Sequence, residues 1–136
     1  MIRVVLDTNV IVSGTISTTG APRAILDRWA DGAFELVVSP ALLAELAEVL
    51  RRSKIRRYVS AEDAEELVSW LRRDAVISDD EPVTVRVAPD PSDDFLIALA
   101  RRSAASVLVS GDRALSGIRG IEPPILTPRA FLEALQ

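Results

Sequence analysis

The chain has 136 residues, of which 49% are hydrophobic and 26% charged, a globular balance in a length that suits one domain with its own core. Its formal net charge of −4 lacks the strong basicity usual in nucleic-acid binders. It contains neither cysteine nor histidine, which excludes disulfides, thiolate and imidazole metal sites, and Ser-His-Asp or Cys-His catalysis. An enzyme built from this chain must work with carboxylates, hydroxyls, amides and basic side chains, a set suited to hard metal ions on oxygen ligands.

Ile2 to Leu6 is a short, β-branched apolar run that reads as a buried strand and stops at Asp7, Thr8 and Asn9. An acid at the carboxyl end of a strand in an open α/β sheet points into the usual ligand crevice. Asp7 or Asn9 would equally serve as the N-cap of a following helix. Asp7 also interrupts the first apolar run, so no secretory leader is expected, and no apolar stretch approaches the roughly 20 residues of a membrane span. A cytoplasmic location without membrane contact is the expectation, in keeping with the absence of cysteine.

Ser13 to Gly20 reads as a loop, and Pro22 opens a helix that runs to about Gly32 with Ile25, Leu26 and Trp29 as its apolar face. Phe34 to Val38 is a second strand. Ser39-Pro40 is a strong helix start, and the helix carries Leu42, Leu43, Leu46, Val49 and Leu50. At about 100° per residue, Glu45 falls at the border of that apolar stripe while Glu48 points away from it. The helix ends in Arg51, Arg52, Lys54, Arg56 and Arg57, five cations in seven residues, and Arg72-Arg73 and Arg101-Arg102 add pairs. Such runs ordinarily belong to solvated helix ends, and phosphate binding is the better reading only beside a site that cuts phosphates.

Ser60 to Asp63 resembles a capping box and opens a helix with Leu67, Val68 and Leu71. Ala75 to Ser78 reads as a short strand, and Asp79 to Pro82 as a loop. Val83, Val85 and Val87 alternate as in an edge strand. Asp90 to Asp94 is a break and helix entry, followed by a helix from Phe95 to Arg102 that is apolar almost all round and therefore buried. Val107 to Ser110 is a strand ending in Gly111-Asp112, Ile125-Leu126 a last short strand, and Thr127-Pro128 the start of a C-terminal helix. Alternating strands and helices predict a three-layer α/β/α domain around a central parallel sheet, spanning residues 1–136.

The acids fall at element ends: Asp7 after the first strand, Glu45 on the helix after the second, Asp94 in the first turn of the buried helix, and Asp112 after the strand at Val107. Singly, each reads as a cap or a surface group. Together at one mouth they would repel, and a bound Mg²⁺ or Mn²⁺ would supply the missing positive charge, bind phosphate oxygens and activate water.

The segments Leu6-Asp7-Thr8-Asn9-Val10, Val38 to Leu46, Asp90 to Ala98, and Val109-Ser110-Gly111-Asp112, in this order and spacing, resemble a PIN domain. The resemblance runs to the small bacterial and archaeal toxin components of toxin–antitoxin systems, relatives of the VapC-type ribonucleases. It implies a metal-dependent endoribonuclease in which water attacks an RNA phosphodiester in line, leaving a 5′-phosphate and a 3′-hydroxyl. Asp7, Glu45, Asp94 and Asp112 match the family's acidic quartet: the three aspartates would hold Mg²⁺ or Mn²⁺, and Glu45 would bind a second ion or orient the water. Thr8, Asn9 and Ser110 match the polar residues that buttress those acids or contact phosphate. Asp94 is preferred to its neighbour Asp93 because Asp94-Phe95-Leu96-Ile97-Ala98 matches the family's Asp-Ala-Leu-Ile-Ala without a gap, leaving Asp93 as a residue whose charge suits the helix dipole. The resemblance also implies a homodimer and a small antitoxin partner.

Two other readings stand beside this one. Haloacid-dehalogenase-like phosphatases also carry a strand-end Asp, but they need a second Asp two residues on, where this chain has Asn9. A non-catalytic RNA-binding or protein-interaction module could keep the same fold.

Overall fold

Val4, Val5 and Leu6 expose no surface, which a strand achieves only when both faces of its sheet are covered. They lie in β1 (Arg3–Leu6), the middle of a five-stranded sheet with the order β3-β2-β1-β4-β5. The other strands are β2 (Glu35–Val38), β3 (Val76–Ile77), β4 (Val107–Val109) and β5 (Ile125–Leu126), and every neighbouring pair is parallel. The computed structural model that gives this fold describes residues 1–82 and 86–135.

Helices flank the sheet: α1 (Thr8–Ile16), α2 (Ala21–Ala30), α3 (Pro40–Arg51), α4 (Ser53–Arg56), α5 (Ala61–Asp74), α6 (Asp94–Arg102), α7 (Arg113–Ser116) and α8 (Pro128–Ala134), with a 3-10 turn at Pro91–Asp93. The result is the expected three-layer α/β/α arrangement. α6 packs on β1 and β4, α3 on α5, and α1 and α8 both on α2. Two aromatic pairs tie the layers. Trp29 of α2 meets Trp70 of α5 at 4.3 Å between ring centroids, and Phe34 meets Phe131 of α8 edge-on at 5.4 Å. Among the described residues no helix is long and apolar enough to cross a membrane.

Three local expectations change. The stretch from Ser13 is not yet loop: α1 continues to Ile16. Its β-branched residues are poor helix formers, and the helix forms because Val10, Ile11 and Val12 are buried in the core. The basic run does not simply trail off α3 but contains the short helix α4. Of the alternating valines, Val83 and Val85 lie outside the described residues and Val87 belongs to no strand.

Candidate active site

The sheet order sends the chain from β1 to β2 and β3 on one side, then back to β4 on the other. That reversal is a topological switch point, and it opens a crevice at the carboxyl ends of β1 and β4. Register pairs Leu6 with Val109, so the next residues, Asp7 and Ser110, stand side by side at the mouth. The Asp7 backbone N–H donates to the Val109 carbonyl at 2.8 Å. The Ser110 hydroxyl donates to Asp7 Oδ2 at 2.8 Å.

Asp7 has two structural positions at once. It is the N-cap residue of α1, with Oδ1 accepting from the Asn9 N–H at 3.3 Å, and it faces the crevice. Burial pushes its carboxyl above the ordinary aspartate range against the pull of Ser110 and the Asn9 N–H, and the nearby charges of Glu45 and Asp112 push the same way.

Glu45 is brought to the mouth by α3, whose start is fixed twice. The Ser39 hydroxyl accepts from the Leu42 N–H at 3.2 Å, and Asp80 accepts from the Ala41 N–H at 2.8 Å. One turn on, the Thr8 hydroxyl donates to Glu45 Oε2 at 2.6 Å. From β4, Asp112 caps α7 through the Ala114 N–H at 2.9 Å, and its own N–H donates to the Ser110 hydroxyl at 3.0 Å. Asn9 Oδ1 accepts from the Gly111 N–H at 3.4 Å. The polar trio thus divides: Thr8 and Ser110 are buried with their hydroxyls hydrogen-bonded to Glu45 and Asp7, and Asn9 alone is exposed.

The two adjacent aspartates have different surroundings. Asp94 is 2% exposed, and its Oδ1 accepts from the Val87 and Ala88 N–H groups at 2.9 and 2.8 Å. Its Oδ2 is buried without a hydrogen-bond partner among the described residues. Asp93, the last residue of the 3-10 turn, is the one that feels the cluster. Burial first, and then the charges of Asp7, Asp90, Asp112 and Glu45, together push its carboxyl up to about 6. The preference for Asp94 over Asp93 followed an ungapped match. The tight turn sends Oδ1 of Asp94 to the backbone of residues 87 and 88, while Asp93 feels the charges of Asp7, Asp90, Asp112 and Glu45.

A cleft of about 290 Å³ opens here, lined by Asp7, Thr8, Asn9, Val12, Ser13, Glu45, Val49 and Arg52. Arg52 is the member that the sequence reading left in a solvated run. Counting Glu45, Val49 and Arg52 as one stripe of α3 would have found it. Among the described residues no three acids converge, as they stand, closely enough to ligate one ion. The donor set nevertheless suits a hard divalent cation: every donor is oxygen, the charges of Glu45 and Asp112 push up the carboxyls of Asp7 and Asp93, and the buried Asp94 Oδ2 lacks a donor.

Comparison with known proteins gives the same picture of the fold. The family model described as the PIN domain matches residues 3–114. The uncharacterized protein MJ1680 of Methanocaldococcus jannaschii is 27% identical over 146 residues, spanning 99% of this chain and 92% of that protein. The crystal structure of PAE2754 from Pyrobaculum aerophilum superposes with a TM-score of 0.69 at 18% identity, over 98% of this chain and 89% of that one. VapBC2 from Rickettsia felis, solved with a DNA fragment from their promoter, gives a TM-score of 0.59 at 17% identity, over 91% of this chain and 96% of that one.

Proposed function

We propose, from the premise that this chain belongs to the PIN domain family, that it is a Mg²⁺- or Mn²⁺-dependent endoribonuclease and the toxin of a toxin–antitoxin pair. The observation that carries the reading is the joining of Asp7 and Asp112 through Ser110 at the strand ends, with the carboxyls of Asp7 and Asp93 pushed up by burial and by the charges of Glu45 and Asp112, in a chain whose only strong ligands are oxygens.

In this reading Asp7, Asp93 and Asp112 hold the cation, and Asp94 fixes the backbone at Val87 and Ala88 behind Asp93. When bound, the metal supplies an acidified water and neutralises charge on the phosphodiester as it becomes crowded. The rest is done by side chains. Ser110 holds one oxygen of Asp7 in place. Thr8 occupies Glu45 Oε2, which leaves Oε1 to accept a hydrogen bond from the attacking water and orient it. Asn9 keeps its amide N–H groups for a phosphate oxygen, since only its Oδ1 is engaged. The likeness to VapBC2 supports a small antitoxin as partner, and the family resemblance supports a homodimer. We assign the protein to the cytoplasm on the same resemblance.

The test is cleavage of single-stranded and structured RNA by purified protein. Cutting in Mg²⁺ or Mn²⁺ that stops in excess EDTA is the expected result. Full cutting in EDTA, or none with either metal, overturns the reading.

A further inference from the structure

The basic run at the end of α3 is divided by helix geometry. At about 100° per residue, Glu45, Val49 and Arg52 share one face of α3 while Ala47, Leu50 and Arg51 share the opposite one. The cavities follow that division. Arg52 lines the acidic cleft with Asp7, Thr8, Asn9 and Glu45. Arg51 and Arg56 line a separate groove of about 450 Å³ with Leu50, Val68 and Arg72, between α3, α4 and α5.

Arg52 is therefore the only basic side chain of the acidic cleft among the described residues. Its neighbours there are carboxylates, which would repel a polyanionic strand. The guanidinium does not reach across to Asp7 or Glu45 but turns back along its own helix to Glu48. Nε donates to Oε1 at 3.4 Å and Nη2 to Oε2 at 2.9 Å. Both side chains are more than half exposed, at 54% and 56%, so the pair adds little to stability. What it does is hold a planar cation in one place. A guanidinium has five N–H donors, and those that Glu48 does not engage are available to phosphate oxygens in the fork geometry that suits them.

Resting on the nuclease reading above, we propose that Arg52 is the substrate-binding residue that receives a phosphate of the RNA strand in this cleft. Glu48 is its positioning residue. Arg51, Arg56 and Arg72, on the far side of α3, take no part.

The experiment compares wild type, Arg52→Ala, Arg52→Lys, Glu48→Gln and Arg72→Ala with a fluorescent single-stranded RNA in Mn²⁺, measuring kcat and KM over a range of salt. Mn²⁺ affinity is measured separately by titration. Arg52→Ala is expected to raise KM about tenfold or more with little change in kcat, the signature of lost uniform binding. It should lower the slope of log affinity against log salt by about 0.7, one phosphate contact on a single strand. Mn²⁺ affinity should not change. Arg52→Lys should keep the salt slope and recover part of KM, Glu48→Gln should raise KM less than Arg52→Ala, and Arg72→Ala should behave as wild type. Wild-type cleavage with KM and salt slope unmoved in Arg52→Ala overturns this proposal alone. So does an equal loss in Arg72→Ala, which would make the effect one of general charge. A wild type that neither cuts nor binds RNA overturns the nuclease reading and this proposal with it.

Discussion

Asp93 and Asp94 are neighbours in sequence with opposite surroundings, and the difference can be measured. Asp93 titrates at about 6 because burial and then the charges of Asp7, Asp90, Asp112 and Glu45 favour its protonated form. An acid whose folded pKa lies above its unfolded value binds extra protons in the folded state between the two. Stability therefore falls as pH rises through that window, here from about 4 to about 6. The raised carboxyl of Asp7 acts in the same direction. The lowered carboxyl of Asp90 acts below the ordinary aspartate range and does not offset it. Metal-free protein should thus lose melting temperature between pH 4 and pH 6.5, and Asp93→Asn should flatten that loss while weakening Mn²⁺ binding. Asp94→Ala should do something else: it strands the Val87 and Ala88 N–H groups and should cost up to about 1–3 kcal/mol at every pH. Thermal melts of both variants across pH, with a Mn²⁺ titration of each, decide the assignment. If Asp94→Ala rather than Asp93→Asn loses Mn²⁺ affinity and flattens the pH profile, the roles are reversed.

Among the elements, three helices with a hydroxyl cap were legible in the sequence. Ser39 caps α3 through Leu42, Ser60 caps α5 through Asp63, and Thr127 caps α8 through Ala130, each where the sequence placed a helix start. α1 was legible only at its cap, because Thr8 to Ile16 is rich in β-branched residues and burial among its neighbours makes it helical. α7 has four residues and leaves no periodicity to read. The candidate site was legible as far as strand ends and helix starts locate an acid. Helical period does not choose between residues 93 and 94, whose surroundings are set by the 3-10 turn before α6. α1 also carries a constraint of its own. A Cβ on Gly14 would stand 2.7 Å from the Pro22 carbonyl oxygen and 2.7 Å from Leu26 Cδ1. The leucine can turn aside, but the backbone of Pro22 at the start of α2 cannot. Gly14→Ala should therefore lower the melting temperature, since overpacking costs about 1–3 kcal/mol against about 1 kcal/mol of helix propensity regained. An unchanged or higher melting temperature would mean that α1 and α2 are free to separate.

At the scale of the whole molecule, one structural event creates the site. After β3 the chain crosses back to the other side of β1, and the register of β1 against β4 sets Asp7 beside Ser110. α3 then delivers Glu45 on one flank, and the turn before α6 delivers Asp93. The fold thereby gathers negative charge that it does not neutralise from within, and it is least at ease where it is proposed to bind a cation. The most direct measurement is a Mn²⁺ titration of wild type and Asp7→Asn at neutral pH, with a thermal melt of each protein free of metal. Removing one charge from the cluster should relieve repulsion, so the metal-free variant should melt no lower than wild type. It should also lose Mn²⁺ affinity by about tenfold or more. An Asp7→Asn protein that binds Mn²⁺ as wild type does would contradict the account, because Asp7 would then be a helix cap that asparagine replaces without loss.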